Sequence, residues 1–365
     1  MQRLAIACLR PEMVSAVDVV DSGDRVLIRA GRPFQESHIQ ALQDSGFGSA
    51  YVDLPSFTGA RPPDGLLSTA FHAEAVKIIR QVYEDFKVKS EMNDSPIRDV
   101  ASRLVNEVIV NRGQLFQCVD LRTADDYLSA HVVNVAVLSI LIGLKKEYTP
   151  SKLQELAIGA LVMDIGEMMV SPDILRKTDK LTPEEMEKVK KHSEIGFDGL
   201  RKKLRGLPAT SMHVAYQHHE SFDGTGYPRG ISGMEIHEYA RIAGVADMFD
   251  ALISDRPFRH YYLPHEAASI LHALSGRFLD PEIAPLLISQ VALYPQGTLV
   301  QLDTKETGEV DAINVHNPAR PRIRLLKNAW EKHVKGKEGL DLEKNPSRTI
   351  VKVFKDQEIM DWVIA

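Results

Sequence analysis

The 365-residue sequence predicts a mainly α fold, with a small α+β domain ahead of it and a β-rich extension behind it. Three observations lead there. Residues 121 to 292 carry helical periodicity almost throughout, short β-like runs joined by a turn lie between residues 14 and 53, and alternating segments resume beyond Pro295.

In chain order, VSAVDVV and RVLIRAG read as two strands joined at DSGD, ESHIQALQDSG as a helix and SAYVD as a third strand. This module, residues 1–60, carries no chemical signal and reads as a regulatory or dimerising domain, with a homodimer as the assembly. Gly and Pro mark TGARPPDG, residues 58–65, as a linker, and residues 61–120, containing AVKIIRQVYEDF, read as a helical connector. Within the helical domain, residues 121–292, Thr182 is placed as an N-cap with Pro183 at the first helical position and Glu185 completing a capping box. That helix is expected to carry His192. In residues 293–365, GTLVQLDT, GEVDAINV, RIRLL and TIVKVF alternate as short strands.

The formal net charge of -6 gives no electrostatic reason to expect DNA or anionic-membrane binding. Cys8 and Cys118 have neither metal-binding nor redox spacing, which points to a reducing, cytoplasmic setting. The longest apolar run, VVNVAVLSILIGL, falls short of the roughly 18 residues a bilayer span needs, so no membrane span is expected.

The chemistry concentrates on one acid. In LVMDIGEMMVSPDIL, residues 161–175, Asp164 sits in a run that reads as a helix apolar around most of its girth. A buried carboxylate costs several kcal/mol unless it is paired or bound to metal, so something cationic should meet it. Candidates stand on separate elements: His131 in SAHVVNVAVL, His192 in VKKHSEIGFDGL, His218 and His219 in YQHHESFDGTGYP, and Asp247 in RIAGVADMFDAL. Imidazole and carboxylate together suit Fe, Mn or Zn, and a carboxylate can bridge two ions. The other nine histidines, His72 among them, show no partner in the sequence.

HHESFDGTGYP, with AGVADMFDALISDRPFR after it and MDIG before it, resembles the HD-GYP family, HD-superfamily phosphohydrolases of bacteria that hydrolyse cyclic di-GMP. The likeness covers residues 125–280, and YPQGTLVQLDT resembles that family's C-terminal end. It implies an HD-type helical domain. It implies that His131, Asp164 and Asp247 ligate one metal, and Asp164, His192, His218 and His219 a second. It places Tyr227, of the motif Gly226-Tyr227-Pro228, with the substrate, and Arg256 and Arg259 on its phosphates.

The pattern is broken in three places. Met163 stands where the family has the histidine of its His-Asp dyad, Glu167 where it has lysine, and Tyr127 where many members place a glutamate for an additional metal. A thioether is a soft ligand poorly matched to Fe or Mn, so Met163 is expected to pack in the core. Asp164 remains the bridging catalytic carboxylate. Glu167, three residues on, is either a substitute ligand for the first metal or a solvated side chain. The expectation is one tightly held Fe or Mn ion, with Zn as the third choice, and a weaker second. The activity implied is a metal-dependent cyclic di-GMP phosphodiesterase impaired by the missing histidine. The alternative is a catalytically silent cyclic di-GMP sensor or adaptor whose Gly-Tyr-Pro surface meets diguanylate cyclase (GGDEF) domains.

Overall fold

The computed structural model describes residues 1–364 apart from 22–24, 55–65, 118–126, 176, 178, 256–260, 329 and 331–338. Cys118 and the whole TGARPPDG linker fall outside the described residues. Two compact units result, one made of residues 66–116 and 126–290, the other of residues 1–65, 117–125 and 291–365.

The second of these units begins the chain. Strands β1 (Gln2–Ala5), β2 (Val14–Ser15), β3 (Val19–Val20) and β4 (Val26–Ile28) precede helix α1 (Glu36–Asp44) and strand β5 (Ser49–Asp53). β1 and β2 both pair antiparallel with β5, and β3 pairs with β4. The first strand was not legible in the sequence, and VSAVDVV is divided between β2 and β3 rather than continuous.

The helical unit follows: α2 (Thr69–Val88), α3 (Ser95–Val110), α4 (Tyr127–Lys145), α5 (Pro150–Leu161), α6 (Pro172–Leu175), α7 (Pro183–Lys190), α8 (His192–Lys203), α9 (Ala209–Gln217), α10 (Glu238–Ile253), α11 (Pro264–Leu274) and α12 (Ile283–Ile288). α4 is its axis. Every residue from Ser129 to Gly143 is buried, because α2, α3, α5, α10 and α12 all pack on it. By length and composition this helix could cross a membrane, but 83% of its apolar stretch is buried inside the protein. α2 and α3, expected as a connector, belong to this unit: Ile79, Val82, Phe86, Val100 and Leu104 give each helix a buried stripe at helical spacing. Thr149 and Thr182 cap α5 and α7, and the Thr182–Glu185 capping box forms as the sequence predicts.

The chain then returns to the other unit with β6 (Leu299–Leu302), β7 (Thr307–Ala312), β8 (Arg322–Lys327), β9 (Gly339–Asp341) and β10 (Ile350–Val353), an antiparallel sheet in the order β10-β6-β7-β8-β9, and ends in α13 (Gln357–Ile364). Leu299, Ile359 and Met360 from this segment share a core with Leu4, Phe34, Leu42 and Val52 from the first. The two termini, read from the sequence as separate domains, therefore build one unit around common apolar contacts.

Candidate metal centre

The helix expected through residues 161–175 is interrupted at the acid itself. α5 stops at Leu161, and after Asp164 the chain enters a 3-10 turn, Ile165–Met169. Tyr83, fully buried on α2, donates its hydroxyl to the Leu161 carbonyl at 3.1 Å and fastens this break. Gly166 is required there: any Cβ would collide with the His192 carbonyl oxygen and lie 2.7 Å from the Gly196 nitrogen. The lack of a side chain lets the Asp164 turn press backbone to backbone on α8. The α7 helix likewise ends just before the site, at Lys190 with Lys191 as its C-cap, so that His192 opens a new helix rather than continuing the capped one.

The result gathers the donors. Asp164, 5% exposed, turns Oδ1 toward His218 Nε2 at 3.1 Å and His192 Nε2 at 3.6 Å, and Oδ2 toward His131 Nε2 at 3.7 Å. His131 Nε2 lies 3.0 Å from Asp247 Oδ1. Asp164, His192, His218 and His219 each offer a ligand atom within 4.8 Å of the others. The cation that a buried Asp164 demands is thus supplied by imidazoles or by what they bind.

Hydrogen bonds behind the rings decide which. The carbonyls of Val189 and Val214 lie 2.7 Å from His192 Nδ1 and 3.0 Å from His218 Nδ1. A carbonyl only accepts, so each Nδ1 carries a hydrogen and each neutral ring presents its Nε2 lone pair to the cluster. Those two Nε2 atoms face each other at 3.4 Å. Two lone pairs beside a carboxylate oxygen repel unless a proton or a metal ion stands among them, and a set of one carboxylate and three imidazoles fits a first-row divalent ion.

Electrostatics point the same way. Burial and the neighbouring His218 and His192 hold His219 well below the ordinary imidazole pKa, and burial lowers His192 too, so both rings are neutral and ligand-ready. Burial opposes the ionised form of Asp164, yet its hydrogen bond with His218 outweighs it and pushes the carboxyl down to about 2, while Asp164 in turn raises His218 against burial, so the proton the two share stands where an ion would replace it. For His131, burial is outweighed by hydrogen bonds to Asp247 and Asp250, which raise its pKa well above normal.

Met163 is fully buried, in keeping with a core role. Glu167 is half-buried and does not join the four-donor group; its backbone nitrogen bonds the Asp164 carbonyl at 2.9 Å. The Tyr127 ring stacks on His131 with centroids 5.9 Å apart and planes 7° from parallel. Tyr227 covers the other side, its ring 4.7 Å from that of His219. Its loop is held by Glu220, whose carboxylate accepts from the Arg229 nitrogen at 2.8 Å and the Ile231 nitrogen at 3.2 Å. Gly226 has no room for a Cβ against the Ser221 nitrogen and His219 oxygen. A cavity of about 380 Å³ lies beside the donors, lined among others by His218, His219, Asp247, Arg241, Phe222 and Phe278. Arg256 and Arg259 lie outside the described residues.

Sequence reasoning missed Asp250, three residues after Asp247 on the same helix, whose Oδ2 meets His131 Nδ1 at 2.6 Å. An i, i+3 pair of acids on an apolar helix was the available signal. It also missed His72, which meets Asn134 Oδ1 through Nε2 at 2.9 Å.

Comparison with known proteins agrees with this architecture. Residues 112–283 match the HD domain family, and residues 299–361 match a KOW domain associated with HD domains. A cyclic di-GMP phosphodiesterase of Pseudomonas aeruginosa is 30% identical over 260 residues, covering 71% of this chain and 62% of its own length. The cyclic di-GMP phosphodiesterase response regulator RpfG of Xanthomonas campestris is 35% identical over 147 residues, covering 40% and 38%. The chain therefore spans less than two thirds of the length of these curated relatives. Among solved structures, an HDG"Y"P protein of Bdellovibrio bacteriovorus superposes with a TM-score of 0.53 at 21% identity, covering 78% of this chain and 97% of its own. Taken with the Gly226-Tyr227-Pro228 loop folded onto the histidine donors, these matches make residues 112–283 an HD domain of the HD-GYP type.

Proposed function

We propose that the protein is a metal-dependent phosphodiesterase of cyclic dinucleotides, with cyclic di-GMP as substrate, acting in the cytosol with turnover below that of relatives whose dyad is intact. The observation that carries this reading is the divided carboxylate of Asp164, one oxygen toward His192 and His218 and the other toward His131. When bound, a pair of divalent ions supplies Lewis-acid charge at the scissile phosphate and acidifies water. Asp164, His192, His218 and His219 would hold the tighter ion, Fe or Mn before Zn, and His131 and Asp247 with Asp164 the weaker one. Val189 and Val214 keep His192 and His218 in the tautomer that ligates, at no reorganisation cost during reaction. Tyr227 covers His219 and keeps bulk water from that side. The adjoining cavity is roomy enough for one nucleobase beside the phosphate. Arg256 and Arg259 are assigned to the phosphates through the family resemblance, and the Gly-Tyr-Pro surface to contacts with diguanylate cyclase domains. Reduced turnover follows from the first-metal side, where Met163, buried in the core, offers no hard donor.

Metal analysis coupled to a product assay tests the reading. Purified protein should carry about one tightly held transition metal, linearise cyclic di-GMP slowly, and lose both metal and turnover in His218→Ala. Metal-loaded protein that neither binds nor cleaves cyclic di-GMP would defeat it. Binding without cleavage would favour the sensor.

A further inference from the structure

Behind the donors, a chain of side chains runs from His131 across three helices. His131 Nδ1 meets Asp250 Oδ2 at 2.6 Å, Asn134 Nδ2 donates to Asp250 Oδ1 at 3.1 Å, and Asn134 Oδ1 faces His72 Nε2 at 2.9 Å. Asp250 is fully buried, and His131 and Asn134 are each 3% exposed. Each link fixes the next. A carboxylate accepts, so His131 Nδ1 carries a hydrogen for Asp250, and Nε2, 3.0 Å from Asp247 Oδ1, is the nitrogen an ion would take in place of its proton. The Asn134 amide is oriented from both ends, its NH2 spent on Asp250 and its oxygen on His72.

We propose that Asp250, Asn134 and His72 are positioning residues that lock His131 in the tautomer and direction needed to hold an ion beside Asp164 and Asp247. The proposal rests on the metal-dependent reading above. It also names a source of pre-organisation for the side of the site that lacks the dyad histidine. His72 lies on α2, outside the HD-domain match at residues 112–283, so the chain ties a helix beyond that match to the metal ligand.

Asp250→Asn is the direct test because it keeps shape and changes only donor character. A carboxamide that turns its NH2 to His131 forces Nδ1 to accept, which points an N–H instead of a lone pair into the site. Turning its oxygen there sets two NH2 groups face to face at Asn134 unless that amide and His72 both switch. Calorimetric titration of the full chain, first stripped of bound metal by chelation, with Mn2+ should show two sites in the wild type. Asp250→Asn should weaken the lower-affinity site by about 10 to 100-fold, the usual cost of losing such a partner, and leave the four-donor site unchanged. Should Asp250→Asn fail to fold, Asn134→Leu, which keeps the carboxylate and removes its anchor, carries the same expectation in smaller measure. The retained tight site serves as the control for folding in both. A single site in the wild type, or a second site that neither variant weakens, overturns the positioning role while leaving the metal-dependent reading in place. No Mn2+ uptake by the wild type would overturn that reading itself.

Discussion

Met163 fills, without exposure, the position where the family's histidine would stand beside Asp164. Replacing it with histidine puts a polar ring into a site that has lost all contact with water, at a cost of roughly 1 to 3 kcal/mol if it finds no partner. A metal ion would be that partner. Met163→His is therefore expected to melt below the wild type in chelator, to recover more than the wild type on adding Mn2+, and to raise turnover; equal metal-induced shifts in melting temperature for the two proteins would show that the new ring cannot reach the ion. Through the roles that the family resemblance assigns them, Arg256→Ala and Arg259→Ala should each weaken cyclic di-GMP binding by about 1.5 to 3 kcal/mol, the range for hydrogen bonds to charged groups. Titration giving wild-type dissociation constants in both would remove them from the phosphate site. Residue identity made most of the donor set legible in the sequence, because imidazoles and lone acids on apolar helices are conspicuous. Asp250 escaped notice because its role is fixed by a neighbour 119 positions away, and its i, i+3 spacing from Asp247 marks a second acid on an apolar helix without naming that partner.

Elements set how closely the donors can approach. A run apolar on all sides does not distinguish one long helix from a helix, a break and a 3-10 turn, which is why the interruption at Asp164 could not be read from Leu161 to Leu175. The signal available was Gly166, whose missing Cβ lets the turn touch the backbone of α8. Gly166→Ala forces the turn and α8 apart, with about 1 to 3 kcal/mol of overpacking. The more telling loss is geometric, since Asp164 and His192 sit on the two sides of that contact. The variant should surrender its tight metal to mild chelation while keeping its helical circular dichroism. Wild-type metal retention would mean that the close approach is not what sets the Asp164–His192 separation.

At the scale of the whole chain, the helical unit was readable because its period is local, and α4 could be picked out from composition alone. What periodicity could not supply was the partnership of the two ends. Strand patterns at residues 14–53 and beyond Pro295 each suggest a sheet with one apolar face, and nothing in either states that Leu4, Phe34 and Leu42 meet Ile359 and Met360. A tie reinforces the shared core, the Ala5 nitrogen donating to Asp356 Oδ1 at 2.8 Å across 351 positions. Ile359 is 2% exposed, so Ile359→Ala should cost about 2 to 5 kcal/mol, as for other buried Ile-to-Ala changes. If the ends form one cooperative unit, that loss is felt where the chain begins: amide hydrogen exchange should accelerate in β1 and β5 together with β6, and far less in α4. Acceleration confined to α13 and the C-terminal strands would show that the two segments fold as independent bodies despite their common core, because a cavity under one of them would then leave the strands of the other as protected as before.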